Sequence, residues 1–142
     1  MKVYFNAAMT RYRKLLPLYQ SLGNIIKELN HTIISEHVIA EETTNGDWIQ
    51  TYEPEKLWQR EMQHLQEADV LISEVTTPSF GVAFMIEEAL KQKKPIISLY
   101  YALPFQKDLP LMLRAKPGIN FKVYTEETAR VRLQDFFSEV AK

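Results

Sequence analysis

The 142-residue chain has no cysteine. Disulfides and thiolate metal sites are therefore excluded, and the spacing of His31, His37 and His64 matches no zinc pattern, so no metal and no cofactor is expected. Long apolar runs are missing too: nothing approaches the roughly 20 residues that cross a bilayer. The first residues, "MKVYFNAAM", pass into the charged "TRYRK" without an extended apolar segment or a cleavage site. No membrane partner and a cytoplasmic location are the expectations. Charge of one sign is also lacking, because 17 Lys and Arg oppose 18 Asp and Glu for a net charge of -1. Such a balance provides no field for gripping a nucleic-acid backbone, so small molecules are the expected ligands. Internal repeats and low-complexity segments are absent. A content of 46% hydrophobic and 25% charged residues fits one globular domain over 1–142.

What is present alternates between two periodicities. "KVYFNA" (2–7) is a short apolar run rich in β-formers, and from Arg11 to Leu29 apolar residues recur every three or four positions, as in an amphipathic helix. "HTIISEHV" (31–38) predicts a second strand. The polar stretch "IAEETTNGDWIQTYEP", with its Asn-Gly pair, predicts a long surface loop. A helix over 53–68 follows, with Leu57, Glu61 and Leu65 stacked four residues apart. "DVLISEV" (69–75) is a continuous apolar run ending near a carboxylate, as a central parallel strand would be. A helix after residue 79, a strand over 95–101, a short helical piece over 109–116, a strand over 119–125 and a helix over 126–140 complete the chain.

Strands alternating with helices imply a parallel sheet with right-handed crossovers. Five strands in this order predict an α/β, flavodoxin-like three-layer sandwich with sheet order 2-1-3-4-5. Ligands of such sheets bind where the strand order reverses, here between the loops after strands one and three. Ser79 and Gly81 open the helix after strand three, where free N–H groups and the helix dipole favour an anion, although a cap and a turn would use the same residues. Glu74, at the carboxyl end of strand three, could hold a sugar hydroxyl, perform acid/base chemistry or pair with a cation. Glu61 could point to the same mouth or to solvent. His37, near the end of strand two, is a candidate proton carrier or an ordinary hydrogen-bonded histidine. Tyr4 and Trp48 offer faces for a base.

"YFNAAM", "SEHV" and above all "ADVLISEVTTPSFGV" resemble the nucleoside 2-deoxyribosyltransferase superfamily, and within it the 2'-deoxynucleoside 5'-phosphate N-hydrolase branch. The resemblance implies a flavodoxin-like homodimer that cleaves or exchanges the N-glycosidic bond of a deoxynucleoside or its monophosphate. It also implies a glutamate nucleophile that forms a glycosyl ester, an acidic residue near the base, and hydroxyl and amide groups around the phosphate. Carried onto this chain, Tyr4, His37, Ser79 and Gly81 match family positions, and Glu61 stands where the family has an aspartate. The nucleophile position is Met85, which cannot form that ester. The family's Gly-Ser-Arg loop is Ala7-Ala8 with Arg11 displaced by one position, and a serine expected from the partner subunit falls at Pro110. Glu74 and Glu61 are the carboxylates that could take over part of the work. Three readings remain open: an N-glycosidase or deoxyribosyltransferase, a catalytically silent nucleotide-binding or regulatory homologue, or a plain flavodoxin-like interaction domain with an empty crevice.

Overall fold

Strands that are apolar on both faces need cover on both, and amphipathic helices supply it in the computed structural model of the chain, which describes residues 1–9, 14–41, 53–103 and 109–142. The strands are β1 (Lys2–Asn6), β2 (Thr32–Ile33), β3 (Val70–Glu74), β4 (Ile96–Tyr101) and β5 (Asn120–Tyr124). All pair in parallel in the order β2-β1-β3-β4-β5. The fold is therefore flavodoxin-like α/β. Helices α1 (Leu16–Glu28) and α5 (Ala129–Val140) cover one face, while α2 (Pro54–Glu67) and α3 (Phe80–Lys91) cover the other. A five-residue helix, α4 (Leu111–Ala115), precedes β5. No helix among the described residues is long and apolar enough to cross a membrane.

Two apolar cores result. Val3, Phe5, Val70, Ile72, Ile97 and Leu99 meet Tyr19, Leu22 and Ile26 of α1 and Leu133, Phe136 and Phe137 of α5. On the other face Tyr4, Leu71 and Ile96, which are neighbours in register, meet Leu65 of α2 and Val82, Met85, Ile86 and Ala89 of α3. Burying a Leu, Ile or Phe of this kind stabilises the fold by about 1.5–3 kcal/mol. The alternation of side chains along each strand decides which core a residue joins.

Strand two is much shorter than its apolar pattern predicts. Its ladder stops after Ile33 because the Ser35 hydroxyl takes over the backbone of β1, accepting from Phe5 N–H at 2.8 Å and donating to the Phe5 carbonyl at 2.6 Å. A 3-10 turn (Glu36–Val38) follows and carries His37. Helix α1 is capped at its C-terminus by Leu29, after which Asn30 adopts a φ of 62°, a left-handed conformation that asparagine tolerates well. The closing helix starts only at Ala129, because Thr125 and Thr128 close a turn in which Thr125 N–H donates to Thr128 Oγ1 at 2.8 Å.

Candidate functional site

A cavity of about 340 Å³ opens between the carboxyl end of β1 and helices α2 and α3. That volume is within the roughly 300–1,000 Å³ typical of small-molecule sites. Val38, Leu57, Val82, Phe84 and Met85 make its walls largely apolar, and the polar groups are few: Tyr4, Asn6, His37, Arg60, Glu61 and Ser79.

The stacking of Leu57, Glu61 and Leu65 along one stripe of α2 turns Glu61 toward the sheet, where its side chain is only 13% exposed. Tyr4 of β1 donates its hydroxyl to Glu61 Oε2. Arg60 donates to Oε1 from Nε at 2.9 Å and from Nη2 at 2.5 Å, and His37 Nε2 lies 3.4 Å from the same oxygen. The Tyr4 hydroxyl is held far above its ordinary pKa, first by burial and then by the Glu61 charge, so it remains a proton donor. His64, one turn beyond Glu61 on α2, places its ring 6.2 Å from that of His37. The ligand atoms of His37, Glu61 and His64 lie within 4.8 Å of one another, a convergence that sequence spacing could not reveal because His37 comes from a different element. Both Glu61 oxygens already have donors, so a cation there would have to compete with the Arg60 guanidinium.

Across the cavity, Ser79 caps α3 and accepts from Val82 N–H at 3.3 Å through its hydroxyl oxygen. Its O–H can still donate to a ligand. A Cβ placed on Gly81 would meet only Ser79 Oγ, at 3.8 Å, so the approach to the helix start is open. The cap is thus real, and it is compatible with an anion at the same place.

Met85 lines the cavity and is 6% exposed. Ala8 is buried away from it, while its neighbours Ala7 and Met9 are part of the lining. Arg11 and Trp48 lie outside the described residues.

Glu74 requires a correction. It does end β3 at the ligand-binding edge, but Val70, Ile72 and Glu74 alternate onto the α1 and α5 face, away from the cavity. There it is fully buried, accepting from Thr76 Oγ1, from Thr76 N–H at 3.3 Å and from the Tyr124 hydroxyl at 3.3 Å. Burial pushes its carboxyl up to about 7, with the Thr76 and Tyr124 hydrogen bonds acting in the opposite direction. Sequence reasoning also missed Asn6, whose only signal was a polar residue ending an apolar strand at the crevice. It is 5% exposed and lines the cavity.

Taken together, these features define an α/β small-molecule-binding protein with a tyrosine, carboxylate, arginine and histidine cluster facing a capped helix start. No family model matches the chain. It is similar to a protein of Thermofilum pendens named "Putative 2'-deoxynucleoside 5'-phosphate N-hydrolase 1", 35% identical over 99 residues that make up 70% of this chain and 67% of that one. A 5-hydroxymethyl-dUMP N-hydrolase of Danio rerio is 29% identical over 152 residues, covering 100% of this chain and 99% of the relative. The solved structure of CMP N-glycosidase from Clostridium botulinum superposes with a TM-score of 0.62 at 17% identity, over 96% of this chain and 99% of the other, which shows a shared fold. The chain belongs to the 2'-deoxynucleoside 5'-phosphate N-hydrolase family, within the nucleoside 2-deoxyribosyltransferase-like superfamily.

Proposed function

We propose that this chain, as a single domain over 1–142, binds a nucleoside 5'-monophosphate in the cavity and hydrolyses its N-glycosidic bond. The observation that carries the reading is the Tyr4–Glu61–His37 cluster facing the Ser79-capped start of α3 across one cavity. The Ser79 hydroxyl and the positive end of α3 suit the phosphate, and the carboxylate cluster suits the sugar and its bond to the base. The family relatives named as N-hydrolases, and the CMP N-glycosidase that shares the fold, support the same chemistry.

Met85 determines the form of the reaction. A thioether cannot form a glycosyl ester, so position 85 supplies no covalent intermediate, and the reaction proposed is direct hydrolysis. In this route, water attacks the anomeric carbon and Glu61 accepts its proton. The base leaves with the bonding electron pair and takes up a proton, which leaves a hydroxyl on the sugar. Glu74 has no part in this scheme. A second reading, binding without cleavage, is favoured by the burial of Met85 at the nucleophile position. Purified protein incubated with nucleosides and their 5'-monophosphates, in ribo and deoxy forms, separates the two when free base is followed by chromatography. Base release supports hydrolysis. Binding with no release from any substrate sinks the enzyme reading.

The same proposal includes a homodimer in the cytoplasm. The dimer is supported by the exposed apolar surface of Phe80 and Phe84 on α3 and of Leu111 and Met112 on α4, with Lys116, just after α4, paired to Glu87 of α3 at 3.0 Å. Sedimentation at several concentrations tests it, and a monomer throughout would remove it.

A further inference from the structure

The floor of the cavity holds a polar group that the described residues leave unsatisfied. Asn6 is 5% exposed, and neither Oδ1 nor Nδ2 has a hydrogen-bond partner among the described residues. Its neighbours in register continue the pattern: Asn6 pairs with Ser73 of β3, Ser73 pairs with Ser98 of β4, and both serine hydroxyls are buried without partners among the described residues. Three such side chains form a row across the centre of the sheet, on the face that meets α2 and α3. Only Asn6 reaches the cavity. Buried polar side chains are nearly always paired, and an unpaired amide weakens the folded state. An apolar residue would serve this strand end better if packing were its only task.

The carboxamide narrows what can meet it. It presents one acceptor and one donor side by side in a plane. A phosphate offers acceptors only and would leave Oδ1 facing another acceptor. A single hydroxyl has one oxygen and cannot satisfy both atoms in good geometry. A nucleobase edge can, because a ring nitrogen or carbonyl stands beside an amine or N–H, and asparagine pairs with such edges through two parallel bonds. The apolar walls of Val38, Val82 and Met85 suit the flat faces of the same ring.

We propose that Asn6 is the residue by which the cavity grips the base of its ligand, through paired hydrogen bonds to an edge that carries a donor beside an acceptor. The inference rests on the nucleotide reading above and adds an orientation to it: the base lies on the floor at β1 and the phosphate at the start of α3. Asn6 makes the site selective for an intact nucleotide over the sugar phosphate left after cleavage, which helps product to leave.

The test is calorimetric titration of wild type, Asn6→Ala and Asn6→Leu with the common nucleoside 5'-monophosphates, in ribo and deoxy forms, and with ribose 5-phosphate and 2-deoxyribose 5-phosphate. Asn6→Ala should weaken the best-bound nucleotide about tenfold to a hundredfold. It should leave the sugar phosphates within about twofold, because the phosphate contacts are untouched. Asn6→Leu should lose nucleotide binding while raising the melting temperature by about 2–4 °C, since it removes a buried unpaired amide. This pairing of lost binding with gained stability distinguishes a ligand contact from a structural residue. Unchanged nucleotide affinity, or equal weakening of nucleotide and sugar phosphate, overturns the role of Asn6 and leaves the nucleotide reading standing. If wild type binds none of the nucleotides, the nucleotide reading itself fails, and this inference with it.

Discussion

Glu61 and Glu74 are carboxylates on opposite faces of the same sheet, and their surroundings could hardly differ more. Glu61 borders the cavity, where Tyr4, Arg60 and His37 converge on it and a ligand can still approach. Glu74 is sealed from solvent, with Thr76 and Tyr124 as its hydrogen-bond donors and the Tyr101 and Tyr124 rings 5.3 Å apart beside it. The pair teaches that closeness to the ligand-binding edge of a parallel sheet does not make a residue part of the site. The face its side chain takes decides that.

The strongest way to break this comparison is to neutralise each carboxylate with its amide. Glu61→Gln should lower base release by about 10²–10⁴-fold, the usual worth of a positioned general base, and should also lower the melting temperature, because Tyr4 and Arg60 lose a charged acceptor. Chromatography of free base checks the first outcome and calorimetry the second. Glu74→Gln should act on stability. Because the folded-state carboxyl lies near 7, above its ordinary 4.5, its favourable contribution is complete below pH 4.5 and disappears as pH rises toward 7. At pH 8 the amide variant should therefore be more stable than wild type by about 3 kcal/mol, and the two should converge near pH 4. Urea unfolding across that range measures the gap, and a gap independent of pH contradicts the account.

Two smaller effects sharpen the cavity side. Met85→Glu places a carboxylate where the resemblance implies the nucleophile and should raise base release by about tenfold, a change of roughly 1.4 kcal/mol, with base exchange appearing when a second base is added. No gain in an unchanged fold means that the sugar does not sit beside α3. Ser79→Ala removes a helix cap and should cost about 1 kcal/mol of stability. It should also narrow the affinity difference between a 5'-monophosphate and its nucleoside, and an unaltered difference places the phosphate elsewhere.

The parallel order of the sheet was legible because strands and helices alternate and each helix shows one apolar stripe. Glu61 was only half legible: its place between Leu57 and Leu65 on one stripe left open whether it faced the crevice or solvent, and the packing of α2 on the sheet decides that. Glu74 was not legible. "VLISE" is buried at every position, so the run carries no alternation from which a face could be read, and the residue was placed by its distance along the strand alone. The early end of β2 was hidden as well, since a serine hydroxyl that replaces a ladder hydrogen bond leaves no mark in an apolar pattern. Asn6 escaped because the lack of partners for its carboxamide among the described residues is visible only in the packed sheet.

The most direct measurement compares base release by Glu61→Gln and Glu74→Gln at pH 7, on the 5'-monophosphate that wild type cleaves fastest. The account predicts a loss of at least about a hundredfold for Glu61→Gln, with Glu74→Gln within about twofold of wild type. Equal losses in both, or full activity in Glu61→Gln, would contradict it.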